Sequence, residues 1–365
     1  MKREPMVYAG KLVLLAVVYF IAAKLGLRLA FVHASATAVW PPTGITLAAL
    51  LIMGYRVWPG IFLGAYFANL MTAGTVATSL GIATGNTLEG IVGAYLVHRF
   101  AGGRTPFDRA QDVFRFAFFA AVVSTMVSAT IGVTSLSLGG FAEWVQFGSI
   151  WFTWWLGDMG GNLVVAPVLL LWSVKSRLRF DWKRWGEMAV LMALLVVLGL
   201  MVFCDYGTTN MFTMALVRFI LVPLLIWIAL RFSQREAATA VMILASFAVW
   251  GTLHELGPFA ALNPNDSLLT LQAYLGVTSI MAITIAANVD ERRDAEEELR
   301  VANEELEDRV VRRTTELVRA AEKFRNLLES APDAMVIVNK DGEIILINTQ
   351  TKKLFGFEEN ELLGK

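Results

Sequence analysis

The chain has 365 residues, carries no net charge and contains a single cysteine; 56% of its residues are hydrophobic and 17% are charged. A mean hydropathy of +0.58 is too high for an ordinary soluble protein, so we predict an integral membrane protein. The zero net charge identifies no partner and gives no sign of nucleic-acid binding, and the lone Cys204 excludes a disulfide framework and a CxxC metal or redox centre.

Apolar stretches alternate with short polar loops over the first 287 residues. A helix crosses a bilayer with about 20 apolar residues, and on this basis we predict ten spanning helices. The second, third and ninth stretches are short enough to be tilted or re-entrant, which leaves eight spans as the competing count. The predicted spans are residues 7–32, 39–53, 58–71, 78–97, 113–133, 149–173, 187–203, 213–232, 239–250 and 268–287.

Lys and Arg are concentrated in alternate loops between these spans. Loops 33–38, 72–77, 134–148, 204–212 and 251–267 contain neither residue. Because basic loops stay on the cytoplasmic side, the pattern predicts a multi-pass protein of the bacterial inner membrane with both termini in the cytoplasm. A cleaved signal peptide is disfavoured, since Lys24 and Arg28 interrupt an apolar region that is too long for a signal core.

A highly charged segment follows the last span and is nearly free of Gly and Pro until Pro332. It predicts one cytoplasmic helix with a heptad repeat, in which two positions form an apolar seam. We expect a parallel homodimer through this seam; a single solvated helix is the alternative. The seam residues are Asn303, Val310, Leu317 and Phe324 at one position, and Leu299, Leu306, Arg313, Ala320 and Leu327 at the other.

The last residues change to a strand pattern. The sequences MVIVN and IILIN flank a KDGE turn and predict a β-hairpin, which the amphipathic piece TKKLFGF follows. An isolated hairpin is only marginally stable in water. We therefore expect the chain to end inside an incomplete α/β domain. The predicted fold class is an all-α polytopic membrane bundle, then a coiled-coil helix, then this fragment.

Charged residues at membrane depth are costly and mark functional sites by default. A rise of about 1.5 Å per residue places Glu89 near the bilayer centre, Lys24, Asp158 and Arg218 slightly to the outer side, and Arg28 nearer the outer surface. For Arg28, snorkelling to the surface is an equal alternative. Three cations against two carboxylates favour a small anionic or zwitterionic ligand. A structural ion-pair network of Glu89, Asp158 and Arg218 is the competing interpretation.

Small residues at helical spacing predict that these carboxylates face protein. Glu89 lies on a stripe with Gly81, Gly85 and Gly93, and Asp158 shares a face with Asn162. We predict a polar pocket roofed by aromatic side chains. Its candidate ligand-binding residues also include Asn86, Trp154 and Trp155, and its candidate structural or gating residues are Trp40, Pro41, Pro42, Gly44, Asn69, Pro167 and Pro223. The prolines at the start of the second span also fit a simple helix start. The three histidines suggest no metal or haem site.

Several stretches resemble known families. The stretches AVWPPTGITLAALLIMGYRVWPGIFLGAYFANL, GNTLEGIVGAYLVHR and WWLGDMGGNLVVAPVLLLW, in that order, resemble the MASE1 family of bacterial integral membrane sensor domains. The run SAPDAMVIVNKDGEIILINTQTKKLFGFEENELLGK resembles the beginning of a PAS domain. The expected domains are a sensor at 1–288, a signalling helix at 289–328 and a truncated PAS domain at 329–365.

The resemblance implies a sensory input module for a cytoplasmic output enzyme. Our first choice of output is a histidine kinase of a two-component system; a diguanylate cyclase or phosphodiesterase is the alternative. The sequence contains no kinase H-box, no ATP-binding Gly-rich segment and no GGDEF-like loop, so we expect no catalysis and no cofactor in this chain. ATP or GTP would belong to an output domain. A transporter-like protein and a sensor that acts through a membrane partner protein also remain open.

Overall fold

A computed structural model describes most of the chain. The backbone is described for residues 3–28, 30–33, 36–37, 39–72, 74–174, 182–204, 211–260 and 264–365. Within these ranges, the side chains of 3–4, 30–33, 36, 211–219 and 264–265 are outside the description. The chain divides into two compact units, Met1–Arg293 and Asp294–Lys365.

The first unit is almost entirely helical. Its helices are α1 (Arg3–Arg28), α2 (Pro41–Met53), α3 (Trp58–Leu70), α4 (Val76–Phe100), α5 (Ala110–Phe116), α6 (Thr125–Leu138), α7 (Phe147–Gly160), α8 (Ala166–Ser173), α9 (Trp182–Phe203), α10 (Met211–Arg231), α11 (Gln234–Leu253) and the start of α12 (Pro264–Ser330). Short 3₁₀ turns occupy Tyr55–Val57 and Trp144–Gln146. These elements confirm the predicted all-α membrane bundle.

Among the described residues, six helical stretches are long and apolar enough to cross a membrane. They are Pro5–Arg28, Ala110–Leu138, Trp144–Ser173, Trp182–Phe203, Gln234–Leu253 and Asp266–Ser330. The ninth predicted stretch is therefore longer than its apolar core indicated, because its helix begins at Gln234. The apolar helix α2 has only 13 residues. The number of crossings, ten or eight, stays a prediction.

The first predicted span is wrong at its end. Helix α1 stops at Arg28, and the next residues form a two-stranded antiparallel hairpin of β1 (Ala30–His33) and β2 (Ala36–Thr37). A short apolar run fits a strand as well as the end of a helix, so hydrophobicity alone extended the helix too far. The hairpin brings the chain back toward the start of α2.

Two helices of the bundle contain π-helical segments. Ala117–Val123 joins α5 to α6, and Gly161–Val165 joins α7 to α8. A π-bulge widens the helix and changes its backbone hydrogen bonding, and such bulges are frequent at functional sites. Pro167 lies in the first turn of α8, directly after the second segment. The structural or gating role of Pro167 stays a prediction, and a helix irregularity directly precedes this residue.

Small residues bring α4 and α6 into close contact. A Cβ added at Gly81 would lie 2.2 Å from Ser135 Oγ, and one added at Gly93 would lie 2.9 Å from Ser124 Oγ. Lipid tails are as apolar as leucine, so close packing and interhelical hydrogen bonds stabilise such contacts more than hydrophobic burial does. The stripe that carries Glu89 therefore faces α6, as its small residues predicted.

The second unit begins within α12, which continues as one helix to Ser330. The apolar seam positions are exposed in the single chain, with Leu299 62% and Leu317 70% exposed. Strands β3 (Val336–Val338) and β4 (Ile344–Ile347) form the predicted antiparallel hairpin, followed by α13 (Thr349–Phe355) and α14 (Glu359–Leu362). The predicted helix and hairpin are confirmed.

Candidate intramembrane polar site

Two carboxyl groups meet in the middle of the bundle. Glu89 of α4 and Asp158 of α7 are each 1% exposed. Thr43 of α2 donates its hydroxyl to Asp158 Oδ1 at 2.9 Å. The hydroxyls of Thr43 and Ser128 contact both carboxyl groups, so α2, α4, α6 and α7 all contribute to the site. The structure thus joins two of the sequence-predicted residues and adds two hydroxyls that the sequence did not single out.

A chain of hydrogen bonds runs beside the carboxyl groups. Asn86 donates its amide to Tyr19 Oη at 2.8 Å and accepts from Ser128 Oγ at 2.9 Å. Trp154 donates its indole N–H to the same Ser128 oxygen at 3.1 Å. Tyr19 and Ser128 were missed because a tyrosine or serine in an apolar stretch gives no distinctive signal. The chain of bonds fixes α1, α4, α6 and α7 against one another.

A small cavity adjoins Asp158. Its lining residues are Leu27, Thr37, Trp40, Asn69, Ile82, Asn86, Trp154, Gly157 and Asp158. Its volume of about 10 Å³ has room for about one water molecule. Trp155 lies outside this lining: its indole N–H donates to the carbonyl of Val122 at 2.9 Å. Of the two predicted tryptophans, only Trp154 therefore borders the cavity.

The segment before α2 is held against α7. Trp40 donates its backbone N–H to the carbonyl of Gly157 at 2.9 Å. A Cβ added at Gly157 would lie 2.5 Å from the carbonyl oxygen of Thr37, and one at Gly161 would lie 2.1 Å from that of Trp40. Gly44 is equally close to the backbone of Gly161. These glycines are needed because two backbones touch here.

Pro41 and Pro42 occupy the first turn of α2, as the simple helix-start interpretation predicted. Asn69 also borders the cavity, although its side-chain amide donates to the carbonyl of Ala65 one turn earlier in its own helix. Pro223 lies inside α10. The residues of the Trp40–Gly44 segment thus form part of the wall beside Asp158, whereas Pro223 is placed elsewhere in the described bundle.

Two of the three predicted cations, Lys24 and Arg28, lie away from the carboxyl groups. Lys24 donates to the carbonyl of Met71 at 2.8 Å and to Thr72 Oγ1 at 2.9 Å, at the end of α3. Arg28 is exposed. Arg218 lies in α10, but its side chain is outside the described residues. Among the described side chains, the site is therefore acidic, and the anionic ligand that the charge count favoured stays a prediction.

Some polar atoms of the site lack partners. Within the described part of the chain, Glu89 Oε1, Asp158 Oδ2 and Asn162 Oδ1 accept no hydrogen bond, and neither carboxyl group forms an ion pair. The predicted ion-pair network also requires Arg218, whose side chain lies outside the described residues, so that network stays a prediction. Burying an ionised carboxylate without compensation is expensive. Among the described residues, these three oxygen atoms are therefore acceptors without a donor.

The π-helical segments connect this site to the last span. Asn162 donates its amide to the carbonyl of Ala120 at 2.6 Å, which links the two segments. Ser279 of α12, which is fully buried, donates its hydroxyl to the carbonyl of Leu163. On the same face of α12, Gln272 lies 3.5 Å from the carbonyl oxygen of Thr37, a residue of the cavity lining. Helix α12 therefore touches both the wall of the cavity and the π-helical segment after Asp158.

No group of three or more His, Cys, Asp or Glu side chains suited to a metal ion occurs among the described residues. A divalent metal centre of the usual kind is therefore not apparent in this part of the chain.

Comparisons with known proteins agree with the predicted resemblance. The sequence profile described as MASE1 matches residues 11–293, and the profile described as the PAS fold matches residues 322–365. The chain is 24% identical over 370 residues to the probable diguanylate cyclase DgcE of Escherichia coli (strain K12). This alignment covers 97% of the chain and 30% of that relative, so the chain spans less than a third of the relative's length. No solved structure gives a significant match.

Proposed function

Because the chain belongs to the MASE1 family of membrane sensor domains and continues into the start of a PAS domain, we propose that it controls an output enzyme through α12. In this proposal, a change at the polar site alters the packing of α12, and the helix carries that change toward the PAS domain. A ligand shifts such an equilibrium only by its differential affinity for the two states.

The contact between α12 and the polar site carries the proposal. The buried hydroxyl of Ser279 donates to the carbonyl of Leu163, in the π-helical segment that follows Asp158. The same helix runs without interruption to Ser330. A rearrangement around Asp158 that moved the π-helical segment would therefore act directly on the helix that continues along the chain toward the PAS segment.

The relative favours a diguanylate cyclase as the output. Its printed name is a probable diguanylate cyclase, and it aligns with nearly the whole of this chain. On that finding, a diguanylate cyclase replaces the histidine kinase as our first choice of output enzyme, although a kinase could be controlled by the same membrane sensor domain. The substrate of the proposed output enzyme is then GTP, bound outside this chain.

Dimerisation and orientation complete the proposal. The exposed apolar seam of α12, with Leu306 57% exposed, supports a parallel homodimer. The basic loops support an inner-membrane protein with both termini in the cytoplasm.

A transporter gains no support from a cavity with room for about one water molecule. An effect through a membrane partner protein would reach α12 by the same contacts.

The test is a chimera in which this chain replaces the matching segment of the Escherichia coli relative. We expect the chimera to make cyclic di-GMP in cells. Five residues inserted between Glu304 and Glu305 rotate the following seam by about 150° and should change the output, whereas a seven-residue insertion keeps the phase and should not. Equal output from both insertions would contradict transmission through the helix.

A further inference from the structure

We propose that Glu89 and Asp158 form an intramembrane binding site for one small monovalent cation, either a proton or Na⁺. The two carboxyl groups are both fully buried and share the contacts of Thr43 and Ser128. Asp158 also borders a cavity of about 10 Å³. The site is acidic, small and partly unsatisfied, and each of these properties selects the same class of ligand.

The charge of the site is not compensated by the described residues. The side chains that approach from the packed elements are the neutral groups of Tyr19 on α1, Thr37 on β2, Thr43 on α2, Asn69 on α3, Asn86 on α4, Ser128 on α6 and Trp154 on α7. Tyr19 is the titratable member of this group. Lys24 points to the end of α3 instead. Two ionised carboxylates in this setting would repel each other with little screening, so one bound cation stabilises the pair.

The available donors leave one oxygen of each carboxyl group unused. Thr43 occupies Asp158 Oδ1, and Asp158 Oδ2 and Glu89 Oε1 have no partner in the described residues. Asn162, one turn after Asp158, also has a free side-chain oxygen, and it is 1% exposed. Oxygen atoms of this kind are the ligands that hard cations prefer. A proton held by one of the two carboxyl groups would remove the repulsion between them, as in other paired carboxylates.

The size of the cavity restricts the ligand. Room for about one water molecule excludes an amino acid, a nucleotide or another organic metabolite without a large opening of the bundle. It also disfavours Mg²⁺, which usually keeps several of its waters. A dehydrated monovalent ion or a proton fits. The proposed ligand thus differs from the predicted small anionic ligand in both charge and size.

Cation binding is testable on the purified full chain in detergent, without any output enzyme, so its outcome is independent of the proposed function. Thermal unfolding is measured in NaCl and in choline chloride of equal ionic strength, each from about pH 5 to about pH 8. If the folded state holds a proton that the unfolded chain releases, the unfolding temperature falls as pH rises. If the site prefers Na⁺, NaCl raises the unfolding temperature above that in choline chloride.

We expect a shift of about 3 °C or more in at least one of these two comparisons. The variants Glu89→Gln and Asp158→Asn, singly and together, replace a charge by a neutral group of the same shape. The double variant should lose the shift and unfold at or above the wild-type temperature at the highest pH. The matched control Glu143→Gln alters an exposed acid before α7 and should keep the wild-type response.

A wild-type unfolding temperature that is the same in both salts and constant with pH overturns the proposal. A double variant that keeps the full response also overturns it. Infrared difference spectroscopy of the wild type and the two single variants covers the case in which the double variant does not fold. A change in carboxylic acid or carboxylate bands on lowering the pH or adding Na⁺ that is missing from Glu89→Gln or Asp158→Asn supports the site, and the same band changes in all three proteins exclude it.

Discussion

Trp40 donates its backbone N–H to the carbonyl of Gly157 at 2.9 Å. Gly157 is the residue immediately before Asp158 in the sequence. The bond fixes the start of α2 against the helix that carries one of the two buried carboxyl groups. Thr43, three residues after Trp40, then donates its hydroxyl to Asp158. A single backbone contact thus sets the position of both the cavity wall and a hydrogen-bond donor to the site.

Replacing Gly157 by alanine should disrupt this arrangement. The new Cβ would lie 2.5 Å from the carbonyl oxygen of Thr37, a distance that forces the backbones apart. Overpacking of this kind costs about 1–3 kcal/mol. We expect the purified variant to unfold several degrees below the wild type. The matched control is Gly148→Ala in the same helix, where an added Cβ meets nothing within 4 Å. Equal unfolding temperatures for the two variants would contradict the close contact.

The sequence predicts the helices and the buried carboxyl groups well, because apolar runs and small-residue stripes carry those signals locally. Glu89 faces protein because Gly81 and Gly85 let α6 approach, and that spacing is visible in the sequence. The hairpin that begins with the strand Ala30–His33 cannot be predicted from the sequence, since a short apolar run suits a strand or a helix equally. Patterns among residues that are close together in the sequence therefore explain more of the fold than of the site.

The surroundings of the carboxyl groups depend on tertiary contacts that no local pattern encodes. The flexible stem of Lys24 lets its ammonium reach Met71 instead of the site, although its depth along α1 is similar to that of the carboxylates. The π-helical segments likewise need partners from other helices, such as Asn162 on the carbonyl of Ala120. Charge counting along the chain consequently does not show which charged groups gather at the site.

The proposed dimer can be tested with two neighbouring valines of α12. Val310 occupies a seam position of the heptad repeat and Val311 does not, yet both are exposed in the single chain. Val310→Lys should weaken the dimer because a charge would be buried at the seam, whereas Val311→Lys should leave it unchanged. Sedimentation equilibrium of the detergent-solubilised chain measures the association. We expect at least a tenfold weaker dimer for Val310→Lys, and equal dissociation constants for the two variants would exclude this seam.

The junction between α12 and the PAS hairpin should respond to acid. Thr349 donates its hydroxyl and its backbone N–H to Glu329, at 2.5 and 3.0 Å, and these bonds lower the pKa of that carboxyl group. A lowered pKa in the folded state adds stability above the ordinary pKa of glutamate, and this stability is lost as pH falls through the lowered value. In Thr349→Ala, which keeps the backbone bond, the pKa of Glu329 should rise part of the way toward its ordinary range. NMR titration of ¹³C-labelled glutamate measures it, and an unchanged pKa would exclude the hydroxyl as its main cause.

Removing the hydroxyl of Ser279 should uncouple the polar site from α12. The hydroxyl donates to the carbonyl of Leu163, and a buried interhelical hydrogen bond in a membrane contributes about 1 kcal/mol. If that contact exists in only one of two signalling states, its loss shifts their equilibrium by about fivefold. In the chimera with the Escherichia coli relative, Ser279→Ala should therefore change cyclic di-GMP by up to about fivefold. The control Ser246→Ala removes a hydroxyl that bonds only within its own helix, to the carbonyl of Met242. If Ser279→Ala matches the wild type, and the variant is present in the membrane in the same amount, α12 does not receive the signal through this contact.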